Sequence, residues 1–564
     1  MSRTYGQIRL HPDAFGGGRW VLEALEPHVC IRLKQIFPRI PKASAPPFVM
    51  PHDPATCADL DWFTSRYPLA ATSEDRVALA AGRAAFDQRM AEAERIKAPD
   101  YLPPSRGGWR PGKGARGHQA RAIELLALVG GLLVGDDVGE GKTFTAMGAC
   151  LLPGALPATI VCDPHIQEQW AARFAEHTTL TTHCIRSTRP YALPPADVRI
   201  FRWTQLMGWA DMFDVLGTGL VAFDECQELR TGVTTGRGQG ALRLTRSARL
   251  RMGLTATPIY NYGVEIWEVM GFLRPEVLGP RGDFQREWAP SGAVKDPKAL
   301  GTYLREQHAF VRQRKTKDRV TRLIQTVDHD AAELASIDDL ARALAETATT
   351  GSFTERGEAT RQLDLRVRQQ TGIAKAKAVA AVVRILVESG TPLILAGWHR
   401  EVYSIWLEAL ADLRPAMYTG SETPAKKRRE MDRFLSGDTD VFILSLRSGR
   451  GVDGLQARST FVVIGELDWS PQVHGQIIGR LDREGSIADG TDEDITCLYL
   501  VAEDGSDPPM MEVNGLKASQ ASGIVDPDLG VSVARNDGAG LKALVQRYLD
   551  RPAHGVRQGV SDGV

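Results

Sequence analysis

Short apolar runs alternate with amphipathic stretches in two separate series along this chain of 564 residues. In the first series the runs are typical of buried parallel strands, and they fall at residues 131–135, 158–162, 198–201, 220–223 and 251–254. Helical periodicity occupies the intervals between them, as at 143–152 and 166–177. Alternation of strand with helix predicts an open parallel α/β sheet.

The second series repeats this pattern nearer the carboxyl terminus. Its predicted strands are residues 393–396, 441–445, 460–464 and 496–501, and its predicted helices include 375–388 and 401–410. Residues 262–370, between the two series, have a mostly helical pattern. The predicted fold class is therefore α/β, with two tandem parallel-sheet lobes joined by a helical insertion.

The regions outside the lobes have weaker patterns. Residues 7–10 begin like a strand, 20–36 and 73–98 are predicted helices, and 99–117, with several prolines and glycines, is a predicted linker. After residue 515 the signal fades, with a last helix predicted at 541–549 and disorder at 551–564. The predicted domains are an N-terminal accessory module (1–86), a helix and basic linker (87–115), lobe 1 (116–275), a helical connecting segment (276–370), lobe 2 (371–515), and a brace with a tail (516–564).

Composition and charge narrow the class of protein only slightly. The chain is 43% hydrophobic and 24% charged, and no apolar run approaches the roughly 20 residues of a membrane-spanning helix. A polar start without a signal-peptide core predicts a soluble cytoplasmic protein, or a nuclear one if the source is eukaryotic. The net charge of −1 means that any binding to nucleic acid must use local positive charge. Seven scattered cysteines without a CxxC pair argue against structural zinc.

Residues 136–143 read DDVGEGKT and lie between a predicted strand and a predicted helix. Gly139 and Gly141 let the backbone curl so that successive N–H groups face one anion, and the following helix N-terminus adds its dipole. In such a loop Lys142 reaches the outer phosphates of a nucleotide, and the Thr143 hydroxyl ligates magnesium. Asp136 stands where the general pattern has glycine. The alternative is a glycine-rich turn with a surface lysine.

Two further motifs follow strands of the first series. In VAFDECQ (221–227), an apolar strand ends in two carboxylates beside the phosphate loop. Asp224 would hold the magnesium, and Glu225 would orient and deprotonate the attacking water; the alternative is a helix cap. In GLTATP (253–258), Thr255 and Thr257 lie at a strand end, either linking the acidic motif to the second lobe or forming a threonine-rich turn.

The second lobe contributes candidate arginines in QIIGRLDREG (476–485). Arg480 and Arg483 are three residues apart and would share one face of a helix. A guanidinium on that face can offset the charge that develops in phosphoryl transfer. The alternative is a solvated charged helix with Asp482 and Glu484 as partners.

Together these motifs resemble the superfamily-two ATPases of the switch/sucrose-non-fermenting type, the chromatin-remodelling and DNA-translocating branch, over roughly residues 116–528. The similarity extends through RGHQ (116–119), VCDPHIQEQW (161–170), GLTATPIYNYGVEIWEVMGFLRP (253–275), ELDWSPQVHGQIIGRLDREG (466–485) and YLVAEDGSDPPMMEVNGLKA (499–518). IAKAKAVAAVV and LILAGWHREV resemble the start of lobe 2 in the fork-remodelling, strand-annealing members. The DWSP segment distinguishes this branch from RNA helicases.

The resemblance implies two RecA-like lobes of a phosphate-loop nucleotide hydrolase, with ATP and Mg²⁺ as cofactors and a site between the lobes. The implied ATP-binding residues are Arg116, Gln119, Asp137, Gly139, Gly141, Lys142, Thr143 and Gln476, with Thr143 and Asp224 as metal ligands and Lys142, Asp224, Glu225, Arg480 and Arg483 as catalytic residues. The implied contacts to the DNA backbone are Pro164, Gln169, Trp203, Thr204, Trp398, Arg447, Ser448 and Trp469. Trp469 is alternatively a core residue. The implied coupling residues are Thr255, Thr257, Gly451 and Asp453.

Two departures from the family pattern concern the coupling of hydrolysis to DNA contact. Cys226 and Gln227 follow the acidic pair where the family has a small residue and histidine, and SGRGVDGLQ (448–456) has an extra residue or an unusual glycine. Residues 1–86 interleave basic and aromatic residues, which suits either a module for branched DNA or a structural cap on lobe 1.

The expected function is an ATP-dependent, DNA-stimulated translocase acting on double-stranded or branched DNA in replication, repair or recombination. A bacterial or phage source and a monomeric state are expected, with a protein partner in a repair, replication or defence complex left open. The alternatives are the motor subunit of a defence or restriction system, and a nucleotide-gated DNA clamp or scaffold with little hydrolysis.

Overall fold

The computed structural model describes residues 3–12, 18–259, 263–314, 320–446, 452, 454–482, 485–489, 494–512 and 514. The described residues up to Arg314 form one compact unit, and those from residue 320 onward form a second. None of the described helices combines the length and the apolar character that a membrane crossing needs.

The first unit begins with a small antiparallel sheet covered by helices. Its strands are β1 (Gln7–Pro12), β2 (Gly18–Glu23) and β3 (Phe48–Pro51), in the order β1-β2-β3, and its helices are α1 (Pro27–Ile36), α2 (Pro54–Arg66) and α3 (Ser73–Lys97). The helix predicted at 20–36 was wrong in its first part, because alternate side chains of β2 are buried and the helix starts only at Pro27. A capping box between Thr72 and Asp75 starts α3, which continues unbroken through the predicted boundary at residue 86.

A seven-stranded parallel sheet forms the centre of the first unit. Its strands are β4 (Gly131–Val134), β5 (Ala158–Cys162), β6 (Thr182–Cys184), β7 (Val198–Arg202), β8 (Thr218–Asp224), β9 (Ala248–Leu254) and β10 (Phe310–Val311), in the order β10-β4-β9-β8-β5-β7-β6. The accompanying helices are α4 (Gly117–Val129), α5 (Lys142–Cys150), α6 (Gln167–His177), α7 (Phe213–Leu216), α8 (Gly236–Ser247), α9 (Glu265–Leu273), α10 (Pro275–Leu278), α11 (Arg281–Glu287) and α12 (Pro297–Glu306). All five predicted strands are confirmed. β6 and β10 escaped prediction because two or three residues give no periodic signal.

The order of these strands assembles the sequence motifs. β4, β9 and β8 are consecutive neighbours in the sheet and run parallel. Because the carboxyl ends of parallel strands meet at one edge, the segments that follow the three strands are adjacent. These segments are the phosphate loop, the threonine motif and the acidic pair.

The second unit contains a six-stranded parallel sheet in the order β11-β16-β15-β12-β14-β13. Its strands are β11 (Val320–Thr326), β12 (Leu393–Gly397), β13 (Ala416–Tyr418), β14 (Val441–Ser445), β15 (Phe461–Ile464) and β16 (Ile495–Val501), and its helices are α13 (Ala331–Ala335), α14 (Asp338–Thr350), α15 (Phe353–Glu388), α16 (Arg400–Ala409), α17 (Pro424–Leu435) and α18 (Pro471–Leu481). The four predicted strands are confirmed. β11 lies in the stretch predicted to be mostly helical; as a largely exposed edge strand it has little of the buried apolar pattern that reveals the others.

A buried ion pair closes the second unit. The Lys375 Nζ atom on α15 donates to the Asp507 carboxylate at 2.6 Å and to the Leu500 carbonyl at 2.7 Å. Both charged side chains are at most 3% exposed. The pair joins the segment after β16 to helix α15. Removing one partner would leave the other charge buried and unpaired, which would be strongly destabilising.

Candidate active site

The phosphate loop connects β4 to α5 and has the predicted curl. Gly139 has φ 93° and Gly141 has φ 77°, a left-handed conformation that favours glycine. A Cβ at Gly141 would lie 2.5 Å from the Gln119 side-chain nitrogen, so this position also requires a close approach. The helix begins at Lys142, which directs the N-terminus of α5 at the loop.

Lys142 lies inside the loop. Its Nζ atom donates to the Asp136 carbonyl at 2.6 Å and to the Asp137 carbonyl at 3.0 Å. Burial lowers the pKa of Lys142, although the nearby carboxylates of Glu225, Asp136 and Asp224 oppose this shift. The ammonium is thus held by neutral backbone acceptors that an incoming phosphate can replace.

The acidic pair lies at the end of β8. Asp224 accepts a hydrogen bond from the Trp170 indole at 3.0 Å, and burial raises the pKa of Asp224 to about 7. Glu225 has a left-handed backbone with φ 52° and ψ 52°, an uncommon and strained state for a non-glycine residue. Such strain clusters at functional sites and fits a carboxylate held in a set direction.

The residues present fit a magnesium ion. Asp224 would supply a carboxylate and Thr143 a hydroxyl, the oxygen ligands that Mg²⁺ prefers. No cluster of three histidine, cysteine or acidic side chains suited to a metal occurs among the described residues. Mg²⁺ in nucleotide sites needs no such cage, because it takes one or two protein ligands and completes its shell with phosphate oxygens and water.

The two residues that depart from the family pattern have distinct structural roles. Cys226 is buried against β9, where a Cβ at Gly253 would lie 2.9 Å from its Sγ atom. Gln227 is also buried, and its side-chain amide donates to the Glu225 carboxylate at 2.7 Å. The departure at 227 therefore contacts the predicted catalytic base directly.

Gln119 binds the phosphate loop from the start of α4. Its amide nitrogen donates to the carbonyls of Glu140 at 2.9 Å and Gly141 at 3.2 Å, and its oxygen accepts the Arg116 backbone N–H at 2.8 Å. The RGHQ segment, with its predicted ATP-binding residues Arg116 and Gln119, is therefore joined to the loop. Their contacts to the nucleotide itself stay a prediction.

The threonine motif continues β9 beside β4. The Thr255 N–H donates to the Val134 carbonyl at 3.1 Å, and the Thr255 hydroxyl accepts the Thr257 N–H at 2.9 Å. Thr255 is buried. The motif is thus a turn and also a neighbour of the phosphate loop, while its coupling role stays a prediction.

Arg312, just after β10, was not identified from the sequence. Its guanidinium donates to the Asp137 carboxylate at 2.6 Å and to the Gly135 carbonyl at 2.6 Å. The pattern around it, FVRQRK, contains three basic residues without an apolar period, so nothing in the sequence distinguishes this arginine from its neighbours.

The candidate DNA contacts of the first unit differ in exposure. Pro164, Gln169 and Thr204 are exposed. Trp203 is only 2% exposed and stacks on Phe223 with ring centroids 5.4 Å apart. The prediction of Trp203 as a DNA contact was wrong, because its ring fills the core behind β8.

In the second unit, helix α18 carries Arg480 and ends at Leu481. A helix face shared by Arg480 and Arg483 stays a prediction. Gln476 and Arg480 are half-buried on α18. The remaining predicted residues Arg447, Ser448, Gly451, Asp453 and Arg483 lie outside the described residues.

The two tryptophans of this unit that are predicted to contact DNA also make contacts within the protein. The Trp398 backbone N–H donates to buried Glu466 at 2.6 Å. Trp469 packs on a small cluster between α14 and α15 that includes Leu363 and Val367, and its indole donates to Asp364. Both indoles remain half-buried, so each keeps a partly accessible face.

A curled glycine loop with an enclosed lysine, next to a strand that ends in an Asp-Glu pair, defines the class of phosphate-loop nucleotide hydrolases. Within that class, residues 59–334 match the family model described as the SNF2-related domain. A curated protein of Drosophila melanogaster, a SWI/SNF-related matrix-associated actin-dependent regulator of chromatin subfamily A-like protein 1, is 22% identical over 414 residues. That alignment covers 68% of this chain and 52% of the relative, so the chain spans about half of the relative's length.

Two solved structures are also similar. One is a Sulfolobus solfataricus SWI2/SNF2 ATPase core in complex with dsDNA, at 13% identity and a TM-score of 0.38, covering 77% of this chain and 100% of that one. The other is the Sulfolobus solfataricus SWI2/SNF2 ATPase core domain, at 13% identity and a TM-score of 0.35, covering 78% and 98%.

Residues 59–334 thus match an SNF2-related domain, and the motifs of the chain are similar to those of the SNF2-type, helicase-like ATPases of superfamily two. The predicted fold class, two RecA-like parallel-sheet lobes, is confirmed by the two sheets. The bacterial or phage source and the cytoplasmic location stay predictions.

Proposed function

We propose that this protein hydrolyses ATP and uses the energy to translocate along duplex DNA, with branched DNA as the preferred substrate. The observation that carries the proposal is the arrangement of Lys142, Asp224 and Glu225 at adjacent strand ends of one sheet. This set supplies a cation for the outer phosphates, an oxygen ligand for Mg²⁺ and a base for water. Arg480 and Arg483 are proposed to stabilise the transferred phosphoryl group from the second lobe.

The proposed DNA contacts are to the phosphate backbone. Exposed Pro164, Gln169 and Thr204 follow the strands β5 and β7 of the first sheet, and Trp398 and Trp469 follow β12 and β15 of the second. Backbone contacts fix position without reading sequence. We therefore expect binding to duplex DNA with little sequence preference and a strong dependence on salt.

A nucleotide-gated clamp with little hydrolysis is the second candidate. The hydrogen bond from the Gln227 amide to the Glu225 carboxylate favours it, because the amide occupies a carboxylate oxygen that a base would use to accept the proton of the attacking water. In this candidate ATP binding alone would change the affinity for DNA.

The test is the steady-state ATPase rate with no polymer, linear duplex DNA, a forked duplex of the same length and composition, and RNA. Glu225→Gln is the matched control, because it keeps the size of the side chain and removes the base. Stimulation by duplex DNA that is absent in the variant would support the motor. Near-zero rates with every polymer, together with tight ATP binding that changes DNA affinity, would support the clamp and reject the motor.

The N-terminal module offers a candidate contact for branched DNA. Trp62 on α2 is 44% exposed, and the Arg66 guanidinium lies over its ring, 5.2 Å from the centroid. An exposed aromatic face with an adjacent cation suits the unstacked bases and the phosphates of a junction. This pair is the proposed source of fork preference in residues 1–86.

A double substitution, Trp62→Ala with Arg66→Ala, tests this role without cutting the chain. Truncation at residue 87 would sever α3 and expose its packed face, so its result would be hard to interpret. We expect the double variant to keep its ATPase stimulation by linear duplex and to lose the additional stimulation by forks. A variant that retains full fork preference would assign the module a structural role only.

A further inference from the structure

The chain segment that closes the first unit runs along the start of the phosphate loop. β10 pairs with β4, and the pairing continues beyond both strands: the Gly135 N–H donates to the Val311 carbonyl at 2.8 Å and the Asp137 N–H to the Gln313 carbonyl at 3.0 Å. The Gln313 N–H in turn donates to the Asp136 carboxylate at 2.7 Å. Residues 311–313 therefore line one side of the phosphate loop.

Arg312 also binds the phosphate loop through its side chain. Its guanidinium binds the Asp137 carboxylate and the Gly135 carbonyl, both at 2.6 Å, and approaches the Ala256 carbonyl of the threonine motif at 3.5 Å. The side chain is 11% exposed, so these charge-assisted bonds are little screened by water. One residue thus joins the closing segment, the phosphate loop and the threonine motif.

Asp136 and Asp137 bind Lys142 through their carbonyls and residues 312 and 313 through their carboxylates. Lys142 binds the carbonyls of Asp136 and Asp137, while Gln313 and Arg312 bind their carboxylates. If Lys142 leaves these carbonyls to meet a phosphate, the Asp136–Asp137 backbone loses two hydrogen bonds. The bonds from residues 312 and 313 then still hold Asp136 and Asp137 at the start of the loop.

We propose that Arg312 is a positioning residue of the ATP site, which keeps the phosphate loop in its receptive conformation while Lys142 changes partners. The inference rests on the proposed ATPase function and adds a residue to its machinery. Arg312 contacts no reacting atom; it acts through Asp137 and Gly135. Arg312 lies two residues before Arg314, where the main segment of the first unit ends, so the contact holds the end of that segment against the loop.

The test compares Arg312→Ala, Arg312→Lys and Asp137→Asn in the full chain, by MgATP affinity and by the KM and kcat of DNA-stimulated hydrolysis. We expect Arg312→Ala to raise KM and the ATP dissociation constant by about tenfold or more, with a smaller change in kcat, because charge-assisted bonds to the loop are lost. Arg312→Lys should recover part of the affinity, since lysine keeps one cation but cannot span all three acceptors. Arg246→Ala, which removes an exposed arginine from α8, is the matched control and should behave as wild type.

The route through Asp137 is tested separately. If Arg312 acts through that carboxylate, adding Asp137→Ala to Arg312→Ala should raise KM little further. An unchanged KM and ATP affinity in both Arg312→Ala and Asp137→Asn would overturn the inference. If the wild-type chain binds ATP but does not hydrolyse it, the motor fails while the affinity comparison still decides the role of Arg312. If Arg312→Ala does not fold, Arg312→Lys and Asp137→Asn give the same decision.

Discussion

Asp224 is a predicted catalytic residue whose buried charge destabilises the folded state. Its carboxylate accepts hydrogen bonds from two neutral donors, the Trp170 indole and the Glu225 backbone N–H, and burial raises its pKa to about 7. The folded state therefore carries a poorly solvated charge above pH 7. Lys142 and a bound Mg²⁺ would offset that charge during function, which explains why a destabilising group suits this position.

Replacing Asp224 with asparagine should abolish ATPase activity and stabilise the fold. At pH 8 we expect a gain of roughly 1–2 kcal/mol, because the variant keeps the Trp170 bond and removes the desolvated charge. The raised pKa means that the folded wild type takes up a proton as pH falls below 7, while the unfolded chain stays ionised to about pH 4. The gain should therefore shrink between pH 7 and pH 4 in urea unfolding experiments.

The exposed Asp214→Asn on α7 is the matched control and should change stability little at either pH. A stability gain at Asp224→Asn that is equal at pH 8 and pH 5 would show that the carboxylate is not the source.

The contact between Gln227 and Glu225 predicts an effect of Gln227 on the rate of hydrolysis. Gln227→Ala removes the side-chain amide that donates to the Glu225 carboxylate, and this leaves the strained Glu225 less restrained. We expect kcat for DNA-stimulated hydrolysis to fall by roughly tenfold, with a smaller change in KM, because the base loses its orientation. An increase in kcat would instead show that Gln227 suppresses the base, as the clamp requires.

At the scale of elements, the contact between β10 and the end of β4 depends on a glycine. A Cβ at Gly135 would lie 2.3 Å from the Phe310 ring, and Phe310 is itself buried. Two backbones can pair this closely beside an aromatic ring only if one position has no side chain. The absence of a side chain at Gly135 is thus one requirement for β10 to pair beside β4.

Gly135→Ala should lower the free energy of unfolding by about 1–3 kcal/mol, as overpacking does. Adding Phe310→Leu should reduce this penalty, so that the two substitutions are not additive. Gly271→Ala on α9 is the control, because a Cβ there meets nothing within 4 Å. If the two losses of unfolding free energy in urea are additive, the strain in Gly135→Ala does not come from contact with Phe310.

At the scale of the whole molecule, the N-terminal module is anchored within the first unit. Arg39 donates to Glu287 on α11 at 2.8 Å and to the Val277 carbonyl at 2.9 Å, and it lies 3.3 Å from the Tyr303 hydroxyl on α12. These contacts join residues far apart in sequence. The module is therefore placed by tertiary contacts in addition to its covalent link through α3.

Arg39→Ala should loosen the module without unfolding the second unit. Its loss leaves Glu287 without this cation, so we expect amide exchange in β1–β3 to rise by about tenfold while exchange in β12–β16 stays unchanged. Arg32→Ala, an exposed change on α1, is the control. Equal exchange in wild type and Arg39→Ala would show that other contacts hold the module.

Local sequence determined the parts of this protein whose chemistry lies in consecutive residues. The buried strands appear as continuous apolar runs, and the phosphate loop, the acidic pair and the threonine motif each occupy a few residues directly after a strand. Their side-chain types and backbone requirements are therefore visible without a structure. Edge strands such as β11 and β10 were missed because they are exposed or very short and have no period.

Only the tertiary structure decided which side chains fill the core and which distant residues meet. The sequence pattern around Trp203 is compatible with a surface contact, but its stacking on Phe223 removes it from solvent. Arg312 resembles its basic neighbours until β10 places it against Asp137, some 175 residues earlier in the chain. Burial and ion pairing depend on the packing of elements that are remote in sequence, and no local pattern of residues records that packing.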